Sequence, residues 1–248
     1  MDYPLGVAVL IGLAFLLAGL VKGIVGMGLP TVAMGLLGLV MPPAQAAALL
    51  IVPSLATNVW QVAAGPRMAA VVKRFASMML AIVAGTFVGI GLLTGASAAA
   101  TMMLGAVLAL YGVTGLVSLR FDVPRRHEPW LSPLIGFVTG VLTGATGVFV
   151  IPAVPYFASL DLDKEGLLQA LGLAFTVSTL ALAAGLLYTG HFHAAAGTAS
   201  VLALAPAAAG MYLGQRIRSR FTPEVFRRWF FGALVPLGSY MALRAAWA

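Results

Sequence analysis

The chain has 248 residues, of which 61% are hydrophobic and 8% charged, with a mean hydropathy of +1.04; soluble domains carry about 45–50% apolar and about 25% charged residues. An ordinary soluble domain is excluded, and the chain is an all-α polytopic membrane protein. Fourteen Lys and Arg against seven Asp and Glu give a net charge of +7, but the basic residues lie between apolar blocks and so report topology rather than nucleic-acid binding. The absence of cysteine excludes disulfides, thiolate metal sites and a cysteine nucleophile.

Met1-Asp2-Tyr3-Pro4 lacks the positive region of a signal peptide, and the apolar run from Leu5 has no evident cleavage site, so it is read as a mature membrane segment. A helix needs about 20 apolar residues to cross roughly 30 Å of hydrocarbon. Leu5–Met41 is too long for one crossing and short for two, and reads as a glycine-broken helical hairpin. Three ordinary crossings follow, Ala44–Ala64, Val72–Gly95 and Ala98–Leu119. After a polar linker over residues 120–130, Leu131–Leu160 reads as a second broken hairpin, followed by Leu167–Tyr188, Ala194–Gly214 and Phe226–Trp247. Interrupted backbone is tolerated in a bilayer only when buried in protein or lining a water-filled cavity, so both breaks are expected to face inward.

Twelve basic residues then fall on one side: Arg67, Lys73, Arg74, Arg120, Arg125, Arg126, Lys164, Arg216, Arg218, Arg220, Arg227 and Arg228. The other side has Arg244, and Lys22 lies inside the first hairpin. The excess of positive charge in cytoplasmic loops puts both termini on the non-cytoplasmic side, with the turns at Met41–Pro43, Gly95–Ser97 and Gly190–His193.

The two halves resemble one another. Gly19-Leu-Val-Lys22-Gly23-Ile-Val-Gly26 aligns with Gly140-Val-Leu-Thr143-Gly144-Ala-Thr-Gly147 at an offset of 121, and the runs end near Pro30 and Pro152. Gln45-Ala46 matches Gln169-Ala170 and Ser54 matches Ser178 at offset 124, and Gly85-x-x-x-Gly89 matches Gly210-x-x-x-Gly214 at 125. Each unit holds a hairpin plus three crossings, so its copy must be inverted. The expectation is one membrane domain over 1–248, with repeat one at 5–119 and repeat two at 131–247.

In inverted-repeat carriers the substrate site lies near the midplane, where broken helices direct half-helix N-termini at anionic groups. Gly23, Gly26 and Gly28 would let the backbone bend and approach a ligand, with Pro30 and Thr31 opening the next helix. Gly144, Gly147 and Pro152 repeat the pattern, with hydroxyls from Thr143 and Thr146. Two facing half-helix ends would form an electropositive cradle; alternatively, these glycines serve close helix packing. Lys22 is a substrate candidate because an ionisable residue in a membrane helix is costly, the alternative being an ammonium that snorkels to the interface. Ser54, Asn58 and Gln61 recur at helical spacing and, with Ser178, are expected to face the interior as further ligands or as interhelical hydrogen bonds. His191 and His193, in a short outer loop, read as incidental.

All seven acids fall at ends or in loops, so a carboxylate proton relay or cation site is not expected, whereas an anion site is. The membrane potential would drive a monovalent anion outward by about 2.3 kcal/mol per 100 mV. No zinc-protease or serine-hydrolase motif is present, and neither catalysis, a metal nor a cofactor is expected; the partners are a small anion and the bilayer. Anion channels and assembly proteins are the rival classes.

Gly19-Leu-Val-Lys-Gly-Ile-Val-Gly-Met-Gly-Leu-Pro30 with Pro43-Ala-Gln-Ala-Ala-Ala-Leu49, and Gly136-Phe-Val-Thr-Gly-Val-Leu-Thr-Gly-Ala-Thr-Gly-Val-Phe-Val-Ile-Pro152, resemble the two half-signatures of the sulfite exporter TauE/SafE family of bacterial permeases. Many members carry more glycine where this chain has Val148-Phe149-Val150. The resemblance, over residues 6–245, implies a secondary carrier exporting sulfite or organosulfonates across a bacterial inner membrane; a carrier of another small organic anion is the alternative.

Overall fold

The computed structural model describes residues 4–63, 65, 68–95, 98–117, 122–220 and 222–247. It contains α1 (Leu5–Val25), α2 (Leu29–Leu37), α3 (Pro43–Ala63), α4 (Met68–Thr94), α5 (Ala98–Val117), α6 (Glu128–Thr146), α7 (Ala153–Ala158), α8 (Lys164–Tyr188), α9 (Ala194–Ile217) and α10 (Pro223–Ala246). Single 3-10 turns at Arg125–His127 and Arg218–Arg220 complete it, with no strand among the described residues. Both predicted hairpins divide as expected, into α1 with α2 and α6 with α7. The second arms are short, nine and six residues. Ala64, Arg67, Ser97, Leu119 and Arg120, which the sequence reading used, lie outside the described residues, as does Asp2.

Among the described residues, six helices are long and apolar enough to cross a membrane: α1, α3, α4, α5, α8 and α9 with its 3-10 extension. The expected crossing Phe226–Trp247 does form a helix, α10, but is not among the six; Arg227 and Arg228 lie near its start and Arg244 near its end. The first arm of the first hairpin, α1, stands in its place. Leu80 and Leu202, both about 70% exposed at 73% and 70%, lie on the outward faces of α4 and α9, where acyl chains would cover them.

Glycine ends both long hairpin arms. Gly26 (φ +83°) and Gly147 (φ +72°) adopt the left-handed conformation, and each N–H closes the helix on the carbonyl four residues back, Lys22 at 2.7 Å and Thr143 at 2.8 Å. A Cβ at Gly26 would meet only the tip of Leu168 at 3.4 Å, whereas one at Gly147 would meet Met34 Cε at 2.9 Å. Gly26→Ala is therefore expected to cost about 1–2 kcal/mol of strain, and Gly147→Ala more. Unfolding of the purified variants measures both, and a smaller loss at Gly147 would contradict this order.

Small residues weld the long arms to helices of the other half. A Cβ at Gly19 or Gly23 would clash with the carbonyl oxygen of Ala207 or Met211 on α9, and Gly210 and Gly214 meet the carbonyls of Leu16 and Leu20 on α1. Gly85 and Gly89 of α4 meet Phe137 and Val141 of α6, while Gly140 and Gly144 meet Ile82 and Thr86. Close approach of this kind is how helices associate where no hydrophobic gradient separates protein from lipid. The α1–α9 and α4–α6 seams run parallel and correspond when the halves are exchanged; α3 also packs on α9 as α8 does on α4, and α3 on α8, and α5 on α10, are reciprocal pairs. Arg74 donates to Glu128 at 2.7 and 2.9 Å, tying the start of α4 to that of α6.

The pair α3–α8 is antiparallel: Ser54 meets Thr179 and Gln61 meets Leu168. With α1 and α9 ending together, this register gathers Lys164, Arg216, Arg218 and Arg220 with the end of α3, and Arg244 falls at the opposite end of the bundle, beside Gly38 and Met41.

Candidate functional site

Proline shapes the helix that carries most of the site. Pro53 inside α3 leaves the Leu49 carbonyl without its i+4 donor. Ser200 of α9 supplies one at 2.8 Å and accepts from the Val52 N–H at 2.9 Å, so α9 holds α3 where its ladder is broken. One turn further on, Ser54, Thr57 and Asn58 are buried, facing the last turn of α1.

There Lys22, only 4% exposed, reaches α3. Its Nζ donates to Thr57 Oγ1 at 3.0 Å and to Asn58 Oδ1. Thr57 Oγ1 donates onward to the Pro53 carbonyl at 2.7 Å. With its oxygen turned to the ammonium, Asn58 donates through Nδ2 to Ser54 Oγ at 3.2 Å and lies 3.5 Å from Thr179 Oγ1. Thr179 donates to the Phe175 carbonyl at 2.7 Å. Every donor along this line points away from Lys22, as a charged group that can only donate requires. The ammonium nevertheless lacks a counter-charge: among the described residues, ion pairs join Arg74 to Glu128 and Arg125 to Asp161, and none involves Lys22. A buried charge costs several kcal/mol unless an opposite charge offsets it, and two neutral acceptors do not.

Lys22 also lines a cavity of about 520 Å³ with Gly23, Gly26, Thr57, Trp60, Gln61 and Gln169, and Glu165, Gln215 and Arg218 border it. Gln61 donates to the Leu168 carbonyl at 2.9 Å, and Gln169 donates to the carbonyls of Val62 at 3.2 Å and Gly65 at 2.9 Å, so the wall between α3 and α8 is held by side-chain amides. Ordered along α3, the polar groups run from Ser54 and Thr179 near mid-helix, through Asn58 and Lys22, to an exposed mouth at Glu165 and Arg218. A second crevice of about 430 Å³, among Met27, Tyr111, Pro155, Phe230 and Phe231, is of similar size but walled mainly by apolar and aromatic groups, with Thr114 and Arg227 also lining it. The chemistry for an ion is in the first.

The structure thus gathers Lys22, Gly23, Gly26, Ser54, Asn58 and Gln61. It sets the remaining candidates elsewhere. Gly28 (φ +100°) begins α2 beside Val21 and Phe230; Pro30 sits in the first turn of α2 and Thr31 is buried there with its hydroxyl unpartnered. Gly144 is occupied by the α4 seam, and the hydroxyls of Thr143 and Thr146 turn back onto Thr139 and Leu142 at 2.7 Å. Ser178 is buried on α8 without a partner, its neighbour Thr179 making the contacts instead.

The two breaks do not face one another. Gly26 lies against Leu168 near the start of α8, and Gly147 against Ala47 near the start of α3. Because α3 and α8 are antiparallel, the breaks sit at opposite ends of that pair, about 20 Å apart along it. Nor are they alike. Gly26 lines the open cavity, whereas Val148, Phe149 and Val150 beyond Gly147 are completely buried, Pro152 caps an α7 of only six residues, and no cavity with the chemistry of the first surrounds them. A shared cradle of half-helix ends is absent; a side-chain ammonium occupies the open side. Thr57 and Thr179 join the site beyond the expected set, as do Glu165 and Arg218, which the sequence offered only as loop or end charges, and Gln215.

A model of the sulfite exporter TauE/SafE family matches residues 11–241. The chain belongs to that family. Membership in TauE/SafE makes it a membrane permease for sulfite or related anions, and an uncompensated ammonium beside a polar cavity is the chemistry such a solute needs. No curated protein and no solved structure shows significant similarity to the chain.

Proposed function

We propose that this TauE/SafE protein is a secondary transporter that exports small sulfur-containing anions, sulfite or organosulfonates, across a bacterial inner membrane by alternating access. The observation that carries the reading is Lys22, a buried ammonium with two neutral acceptors, no carboxylate in an ion pair with it among the described residues, and a cavity on its open side. An ammonium has three donors, and the third serves the anion. The arginine-rich end is cytoplasmic and both termini are non-cytoplasmic, so the cavity is the inward-open form of the site.

The domain is two inverted repeats, 5–119 and 131–247. Reciprocal pairing of their helices supports this, as does the placement of one glycine break at each end of the α3–α8 pair. In such a scaffold the closed surroundings of Gly147 and the open surroundings of Gly26 exchange states during transport.

Flux of sulfite and methanesulfonate into proteoliposomes under an imposed potential tests the reading. Saturable, potential-sensitive flux is expected; conductance without saturation would make the protein a channel, and absence of flux would remove the transport reading. Gly26→Leu and Gly147→Leu are each expected to stop flux with the protein still inserted, and normal rates in both would overturn a role for the breaks.

A further inference from the structure

The charge at the site is limited as well as positive. Lys22 is the one formal charge that the cavity holds away from water; Glu165 and Arg218 at the mouth are exposed and of opposite sign. Gln61, Gln169 and Thr57 in the wall are neutral, and each donates to a backbone carbonyl. A single negative charge on a ligand therefore neutralises the buried part of the cavity. A second would remain unpaired beside α3 and α8, and an unpaired charge in a low-dielectric site is the costly case.

Resting on the anion-site reading above, we infer that the transported species is the monoanion: hydrogen sulfite or a sulfonate is carried, and the sulfite and sulfate dianions are rejected. Size does not make this distinction, since hydrogen sulfite, methanesulfonate and sulfate are all far smaller than a cavity of about 520 Å³. The charged and polar groups that face Lys22 come from three segments. From α3 they are Thr57 and Asn58; from α8, Glu165 at the mouth; from the segment after α9, Arg218. Glu165 and Arg218 are exposed at the mouth, away from the buried end of the cavity where Lys22 lies.

The test uses the wild-type protein in proteoliposomes, with initial rates measured at fixed total sulfite while pH is raised through the second ionisation of sulfurous acid, and with methanesulfonate as the control because it stays a monoanion throughout. Sulfite flux is expected to fall by roughly tenfold per pH unit once the dianion predominates, while methanesulfonate flux stays level and sulfate competes with neither. Parallel decline of sulfite and methanesulfonate would locate the titration on the protein and overturn the inference, as would sulfate competing as strongly as methanesulfonate. Absence of flux for every probe would instead remove the anion-site reading beneath it.

Discussion

Lys22→Met should lose anion binding by roughly 10- to 150-fold, the equivalent of a charge-assisted hydrogen bond worth about 1.5–3 kcal/mol. Methionine keeps the length and apolar stem of lysine, so the end of α1 stays filled while its buried ammonium disappears. The fold should tolerate the change. Removing a buried charge that lacks a counter-ion favours the folded state, whereas Asn58 Oδ1 and Thr57 Oγ1, which accept from Lys22, lose a donor at a cost of about 1–3 kcal/mol each. The opposing effects leave the melting temperature near that of the wild type. Methanesulfonate binding to the detergent-solubilised variant, measured beside its melting curve, gives both quantities. Unchanged affinity would show that the lysine is an interface anchor and that the cavity binds through other groups.

The second large effect concerns stability. Gly89→Leu and Gly91→Leu lie two residues apart on α4, yet a Cβ at Gly89 would run into the Val141 carbonyl of α6, whereas one at Gly91 meets nothing within 4 Å. The carbonyl belongs to a helix backbone and cannot rotate aside, so Gly89→Leu should force the α4–α6 seam apart and cost at least about 3 kcal/mol, the upper part of the range for overpacking. Gly91→Leu should be neutral or slightly stabilising, because leucine forms helix better than glycine by up to about 1 kcal/mol. Thermal unfolding of the two variants in one detergent makes the comparison, and equal melting temperatures would show that the seam yields.

Much of this architecture was readable in advance. The blocks that became α3, α4, α5, α8 and α9 are continuous apolar runs near the length of a bilayer, a signal that tertiary structure has little power to override. The helix-ending roles of Gly26 and Gly147 were also legible, because glycine followed by proline both closes one helix and opens the next. The role of Gly23 and Gly144 was not. A G-x-x-x-G spacing looks the same whether it bends a chain or receives another helix, and only the presence of α9 beside Gly23 and α4 beside Gly144 decides. At the site, helical periodicity selected Ser54, Asn58 and Gln61, but Thr57 belongs because the long stem of Lys22 lets its Nζ reach two adjacent residues of α3. Glu165 and Arg218 were read as loop charges; they enter because the start of α8 and the end of α9 converge where α1 stops. The facing cradle failed on the register of one helix pair: α3 and α8 run antiparallel, so breaks packed near the start of each lie at opposite ends of the pair.

The α1–α9 seam also has a consequence for how the chain comes to be folded. Gly19 and Ala207, which meet across it, are separated by almost the whole sequence. The glycine face of α1 thus stays unmatched until α9 has been synthesised. Lys22 on that same helix waits with it, and closing so distant a contact is intrinsically slow. The cavity beside Lys22 is completed by residues far along the chain, so assembly of its walls depends on the second half of the sequence arriving intact.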